Sequence, residues 1–288
     1  MNAARRTRAL KGFVLGVTFL AASAVMAVPA GPQTLAAPVD LGTADPFAIL
    51  AGTEITDVPE SAITGDVGLT PETGANIIGL TCDEVNGTIY SVDAAGPLPC
   101  RVTDPALLTA AKNALSAAYV DAAGRTADET VPTELGGQTL SPGVYNSAAT
   151  TFSITAGAGP LILDAQGDPN GVFIFQAPAD QADALTVGPG SEVQLTGGAQ
   201  ACNVWWAVVG ATIDTTAIFK GNILAATSIT VAQGANIEGR LLALEGNVTL
   251  IQDAITRADC AVSPGPTVPR GPAAAPPTAI VAPPNFTG

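Results

Sequence analysis

The sequence predicts a mainly β protein in which short strands stack as a solenoid and one long α-helix packs alongside. Three observations lead there. Charged residues make up 12% of the 288 and aromatics 5%, with 31 Gly and 23 Pro, a composition of turns and short strands rather than of a helical bundle. The segments 204–221, 222–239 and 240–256 repeat with a period of about eighteen residues, the signature of coils that bury their aliphatic residues only by stacking. One stretch alone carries a long helical period, and its length matches the wall of such a stack. A β-sandwich is the competing architecture.

The N-terminus reads as an address rather than as structure. Basic "RRTRALK" precedes apolar "GFVLGVTFLAASAVMAV" and then small residues, so residues 1–30 are expected to be a secretory signal peptide and 31–39 a linker. Arg5 and Arg6 leave twin-arginine export open, and the apolar run is short for a membrane span. Removing residues 1–30 takes away four of the eleven bases and none of the 25 acids, leaving a net charge near −18. Such a surface repels nucleic acid and anionic lipid. The expected protein is therefore extracellular, off the membrane once the signal is gone, and monomeric.

The folded domain is expected over residues 40–260. Its first part, "FAILAGTEITDVPESAITGDVGL", has the cadence of the later repeats, with Ile63-Thr-Gly65 echoing Phe219-Lys-Gly221 and Ile237-Glu-Gly239. Cys82, Cys100, Cys202 and Cys260 in an exported chain point to two disulfides. Of three possible pairings, Cys82–Cys100 as a local staple and Cys202–Cys260 as a clasp around the C-terminal repeats are favoured.

The helix is expected at about 105–122. Thr103 or Asp104 can cap it, Pro105 fits the first turn and Gly124 the stop. Leu108, Ala111, Leu115, Ala118 and Ala122 form its apolar stripe. In the C-terminal repeats, Trp206, Leu224 and Leu242 align in one column and Phe219, Ile237 and Ile255 in another. Trp205 and Trp206 read as at least half buried. From residue 261 to 288 the chain is Pro-rich and is expected to be a disordered tail.

Catalytic chemistry finds little support. With no histidine, Ser-His-Asp and Cys-His arrangements are excluded, and without His or a CxxC spacing so is the usual zinc site. Asp164, Asp168, Asp214, Glu238 and Asp253 are scattered through turns rather than facing as a glycosidase pair. "GAGPLILDAQGDPNG" lacks the strand–helix setting of a nucleotide site. No enzyme activity, cofactor or metal is expected.

What remains is a strand face. Alternate residues of a strand point oppositely. If Ala211 and Ile213 face inward, Thr212 and Asp214 face out. Ile229 and Val231 likewise expose Ser228 and Thr230, Val248 and Leu250 expose Asn247 and Thr249, and Ile55 exposes Glu54 and Thr56. Stacked, these form a flat ladder of hydroxyls and methyls that can organise surface water. Thr also favours strands for its own sake, but Thr212, Thr230 and Thr249 share one outward position.

Together, "FAILAGTEITDVPESAITGDVGLTP", "LSPGVY", "LILDAQGDPNGVFIFQ", "CNVWWAVVGATI" and "GNILAATSITVAQGANIEGRLLALEGNVTL" resemble the microbial ice-binding-like family over about residues 40–260. The resemblance implies a discontinuous right-handed parallel β-helix, its first and C-terminal coils interleaved in space, with a capping insertion between Thr81 and Arg101. It implies adsorption to an ice crystal surface through one β-face, here Thr56, Thr212, Ser228, Thr230, Asn247 and Thr249. A Thr-Ala/Gly-X-Thr/Asn corner motif of some members is met by Thr73 to Asn76, partly by Gln233 to Asn236 and poorly by Thr215 to Ile218, which adds Thr73, Asn76, Thr215 and Asn236 as candidates. The alternative is an extracellular adhesive or structural solenoid that binds glycan or protein without ice activity.

Overall fold

An eighteen-residue coil repeated in register must pair its strands in parallel, since each turn of chain returns in the same direction. In the computed structural model, which describes residues 36–178 and 184–261, every strand pairing is parallel. The expected signal peptide at 1–30 and the expected tail beyond Ala261 lie outside the described residues. Val39, at the end of the expected linker, is buried.

The strands line three walls. One runs in the spatial order Arg101–Thr103, Ile89–Ser91, Asp66–Leu69, Phe47–Ala51, Asn236–Ala243, Ile218–Ala225, Val204–Val208, Phe173–Ala177, Gly143–Ser147, Glu129–Val131. A second runs Phe152–Ile154, Leu185–Val187, Ala211–Ile213, Ile229–Val231, Val248–Ile251, Ile55–Val58, Ile77–Ile78. The third holds Thr139–Leu140, Leu161–Asp164 and Val193–Thr196, then the first halves of the two eight-residue strands, then Ala254–Thr256, Ala62–Thr64 and Val85–Asn86. Those long strands bend from one wall to the next at Gly221 and Gly239. Gly221 has φ +119°, and a Cβ at Gly239 would lie 1.8 Å from the Gly221 carbonyl oxygen.

The solenoid is discontinuous. Coil 47–64 stacks on coil 236–256 at all three walls, through Ile49 with Leu241, Ile55 with Val248 and Ile63 with Ile255. The first described strand, Phe47–Ala51, thus lies in mid-stack, and from it the coils build to Arg101–Thr103 at one end before the chain re-enters at the opposite end with Glu129–Val131. The helix makes the return journey. It spans Pro105–Gly124, two residues beyond the expected end, and at about 1.5 Å per residue covers about 30 Å.

The predicted stripe is what the helix buries: Leu108, Ala111, Leu115, Ala118 and Ala122 pack with Phe47, Leu50, Val144, Ile174, Trp205, Leu224 and Leu242 on the outer side of the first wall. Asp104 Oδ1 accepts from the Leu107 amide at 2.9 Å, and buried Gln176 donates Nε2 to the carbonyls of Ala122 and Arg125 at 2.7 and 2.8 Å. Both helix ends therefore have partners for groups that the helix leaves unpaired.

Inside the coils, aromatic rings stack from strand to strand, Tyr145 on Phe175 at 5.5 Å, Phe175 on Trp206 at 4.0 Å and Trp206 near Phe219 at 5.4 Å between centroids. Both tryptophans are buried, Trp206 inside and Trp205 toward the helix. One expected column needs correction: Trp206 pairs with Ile223, not Leu224, whereas Leu224 with Leu242, and Phe219 with Ile237 and Ile255, align as expected. The disulfides join Cys82 to Cys100 and Cys202 to Cys260, the favoured pairing.

Candidate functional site

The second wall is built by strict alternation. Phe152, Leu185, Ala211, Ile229, Val248, Ile55 and Ile77 point into the core. Their successors form one outward row, in register: Ser153, Thr186, Thr212, Thr230, Thr249, Thr56 and Ile78. Neighbours in such a ladder repeat at about 4.7–4.9 Å. Thr186 and Thr230 are exposed, and Ser153, Thr212, Thr249 and Thr56 are half-buried.

Four of the six principal candidates, Thr56, Thr212, Thr230 and Thr249, thus stand in one row. Ser228 and Asn247 lie on the same face one pleat earlier, beside Glu54. Sequence reasoning missed Thr186 and Ser153, although "LTV" at 185–187 repeats "ITV" at 229–231 and "FSI" stands in register with it. The corner candidates scatter. Thr73 donates to Asp93 at 2.6 Å and accepts from the Ala75 amide, and Asn76 donates to the Thr53 carbonyl at 3.2 Å, so both brace turns. Thr215 sits in the corner after Ala211–Ile213, and Asn236 opens a strand on the third wall, paired with Ile218 and Ala254.

Three carboxylates among the described residues border the face, and each is tied down. Glu134, paired with Ser153 at the end of the row, accepts from the hydroxyls of Ser153 and Thr155 at 3.2 and 2.9 Å. Glu54 Oε1 accepts from the Thr56 hydroxyl at 2.7 Å, and Asp214 Oδ1 accepts from the Thr215 amide at 2.7 Å. No cation of the described residues belongs to this wall. Lys112, Arg125, Lys220, Arg240 and Arg257 pair with Glu245, Asp121, Glu238, Asp45 and Asp259, and Arg101 bonds the Asp93 carbonyl. The face is therefore flat, hydroxyl-rich and almost free of long charged side chains.

Behind it, where the first and last coils meet, lies a buried acidic cluster. Asp57 Oδ1 accepts from the Ser61 hydroxyl at 2.6 Å, while Asp57 Oδ2 is buried without a donor. Glu84 takes the Ser61 amide at 2.8 Å, and Asp253 takes the amides of Ile251 and Ala235. Burial pushes the Asp57 carboxyl up to about 6, with the Glu84 carboxylate adding to the rise. Burial also opposes ionisation of Glu84, but hydrogen bonds from the hydroxyl and amide of Thr81 and the amide of Ser61 outweigh it and hold that group below its ordinary value. Burial raises Asp253 as well. Among the described residues, no cluster of His, Cys, Asp and Glu could hold a metal ion.

Comparison with known proteins places this geometry in company. The family model described as ice-binding-like matches residues 49–256. An ice-binding protein of Flavobacterium frigoris is 44% identical over 222 residues, spanning 76% of each chain. One of a Colwellia species is 43% identical over 232 residues, covering 78% of this chain and 85% of that one. Among solved structures, the DUF3494 domain of Shewanella frigidimarina ice-binding protein 1 superposes with a TM-score of 0.68 at 33% identity, over 78% of this chain and 99% of that chain.

Proposed function

The chain belongs to the ice-binding-like family, and from that membership we propose that it adsorbs to ice through the wall carrying Thr56, Thr212, Thr230, Thr249, Thr186 and Ser153. The observation that carries the assignment to this wall is the registered hydroxyl row. A parallel ladder fixes the Cα positions, and a β-branched side chain has little χ1 freedom to lose. Methyl and hydroxyl groups therefore stand at a fixed repeat, and the water against them is ordered before ice is met. Little side-chain entropy remains to be lost on adsorption. Between adsorbed molecules an ice front advances only by curving, which raises its free energy and lowers the temperature at which it grows.

The protein acts outside the cell, as a monomer, after loss of residues 1–30. Two disulfides support an oxidising compartment, and the acidic balance of the chain keeps it off nucleic acid and anionic membrane. Among the described residues no helix is long and apolar enough to cross a membrane.

Thermal hysteresis and ice-crystal shaping by the purified secreted protein test the proposal, with Thr230→Tyr on the wall and Thr256→Tyr, exposed on the third wall, as control. Loss of activity in a folded Thr230→Tyr, with Thr256→Tyr unaffected, is the expected result. Equal activity in both would move the site to another face, and a parent without hysteresis or shaping would overturn ice adsorption and favour the adhesive alternative.

A further inference from the structure

A carboxylate is out of place on a surface that organises neutral water, yet Glu54 stands on the wall one pleat before Thr56. Its placement is not loose. The Glu54 carbonyl accepts from the Val248 amide at 2.9 Å, and the Asn247 carbonyl accepts from the Ile229 amide at 2.9 Å. Both backbones are thus held in the ladder next to the pair Thr56 and Thr249, which face each other across the junction of the first and last coils.

The side chains then act on that pair in opposite senses. The Thr56 hydroxyl donates to Glu54 Oε1 at 2.7 Å. The Thr249 hydroxyl accepts from Asn247 Nδ2 at 2.9 Å, and Asn247 is steadied by its own amide donating to the Ser228 hydroxyl at 3.3 Å. A hydroxyl has one proton and two lone pairs. Thr56, its proton committed to Glu54, offers only lone pairs outward, whereas Thr249, one lone pair occupied, is free to direct its proton outward.

Building on the proposed ice adsorption, we infer that Glu54 and Asn247 are positioning residues that fix Thr56 and Thr249 as an acceptor beside a donor toward ice. Each lattice water donates and accepts, so adjacent hydroxyls of opposite polarity can both bond one ordered layer. Ser228 and Asn247 then support the row rather than touching ice first. Thr230, whose hydroxyl has no side-chain partner among the described residues, serves as the unpositioned reference.

The test compares Glu54→Gln, which keeps an acceptor and loses the charge, with Glu54→Leu, which loses both, each alone and with Thr56→Val. Three-bond couplings of each hydroxyl proton to its own Hβ, read by NMR in supercooled solution, report the Thr56 and Thr230 hydroxyl orientations without ice, and thermal hysteresis reports adsorption. Glu54→Gln should leave a single Thr56 hydroxyl orientation and full hysteresis. Glu54→Leu should average the Thr56 couplings, leave those of Thr230 unchanged and lose hysteresis, with no added loss in the Thr56→Val background. Unchanged Thr56 couplings in Glu54→Leu, equal damage from Gln and Leu, or a loss that persists beside Thr56→Val would overturn the inference. Averaged couplings in a protein whose parent lacks hysteresis would keep the positioning role and overturn ice adsorption instead.

Discussion

Asp57 and Thr56 are neighbours with opposite duties, one buried and titrating, the other on the wall. The Asp57 carboxyl, raised from 3.8 to about 6 chiefly by burial, is neutral in the folded protein where it would be charged in the unfolded chain. Its contribution to stability is therefore complete below 3.8 and is lost as pH rises through about 6. Asp253, also raised by burial, acts in the same direction. Glu84, held below 4.5, has the opposite sign: its contribution is present above 4.5 and falls away as pH drops through its lowered value. The window in which both favour folding lies between about 4.5 and 6, with the proton on Asp57 and the charge on Glu84. The protein should accordingly be more stable at pH 5 than at pH 7.5, with a higher unfolding temperature, Asp57 supplying about 1 kcal/mol of the difference. Asp57→Asn, neutral at every pH, should raise stability at pH 7.5 and flatten most of that slope. Calorimetry across pH 4.5 to 8 would reject this account if the variant kept the parent's slope.

The helix shows how far an element is legible from its own residues. All five positions of its predicted stripe are buried, because a 3.6-residue period against a flat wall leaves one solution. Leu115→Ala should therefore cost about 3 kcal/mol in urea unfolding, and Asp104→Ala about 1 kcal/mol through loss of its cap to Leu107. Lys112→Ala removes a pair with the exposed Glu245 and should cost under about 1 kcal/mol. The strands were legible for the same reason: period two set which threonines face out, and the eighteen-residue repeat set which of them align. Legibility failed where the repeat changes length. Val208 pairs with Ala225 and Ala211 with Ile229, so a two-residue corner faces a three-residue one and Trp206 slips one place from its expected column. Thr186 and Ser153 escaped notice because the residues around them diverge from the later coils. The bonds of Glu54 and Asn247 depend on rotamers, which no periodicity encodes.

At the scale of the molecule, a solenoid whose coils touch only their neighbours owes its integrity to each interface in turn. The interface between coil 47–64 and coil 236–256 joins the two ends of the domain and places Thr56 beside Thr249. Arg240, buried, spans it: Nη2 pairs with Asp45 at 2.8 Å, Nε with the Asp45 carbonyl at 3.0 Å, and Nη1 with Asn222 and the Ala258 carbonyl at 2.9 Å. Arg240→Met keeps much of the volume but strips a donor from buried Asn222 and cuts the bonds to Asp45. The cost should be about 3 kcal/mol, most of it from acceptors left without partners. Because those bonds cross the junction, the loss should be local before it is global. In hydrogen exchange, the amides of Val248, Gln252 and Ala62, which bond Glu54, Val58 and Asp253 across the junction, should lose protection first. The amides of Ala211 and Ile229, bonded within the C-terminal stack, should keep theirs. With the junction open, Thr249 and Thr56 no longer share a plane, so hysteresis should fall while the C-terminal stack stays folded. A uniform loss of protection over all these amides would instead show that the solenoid unfolds as one unit and that Arg240 sets no separate step.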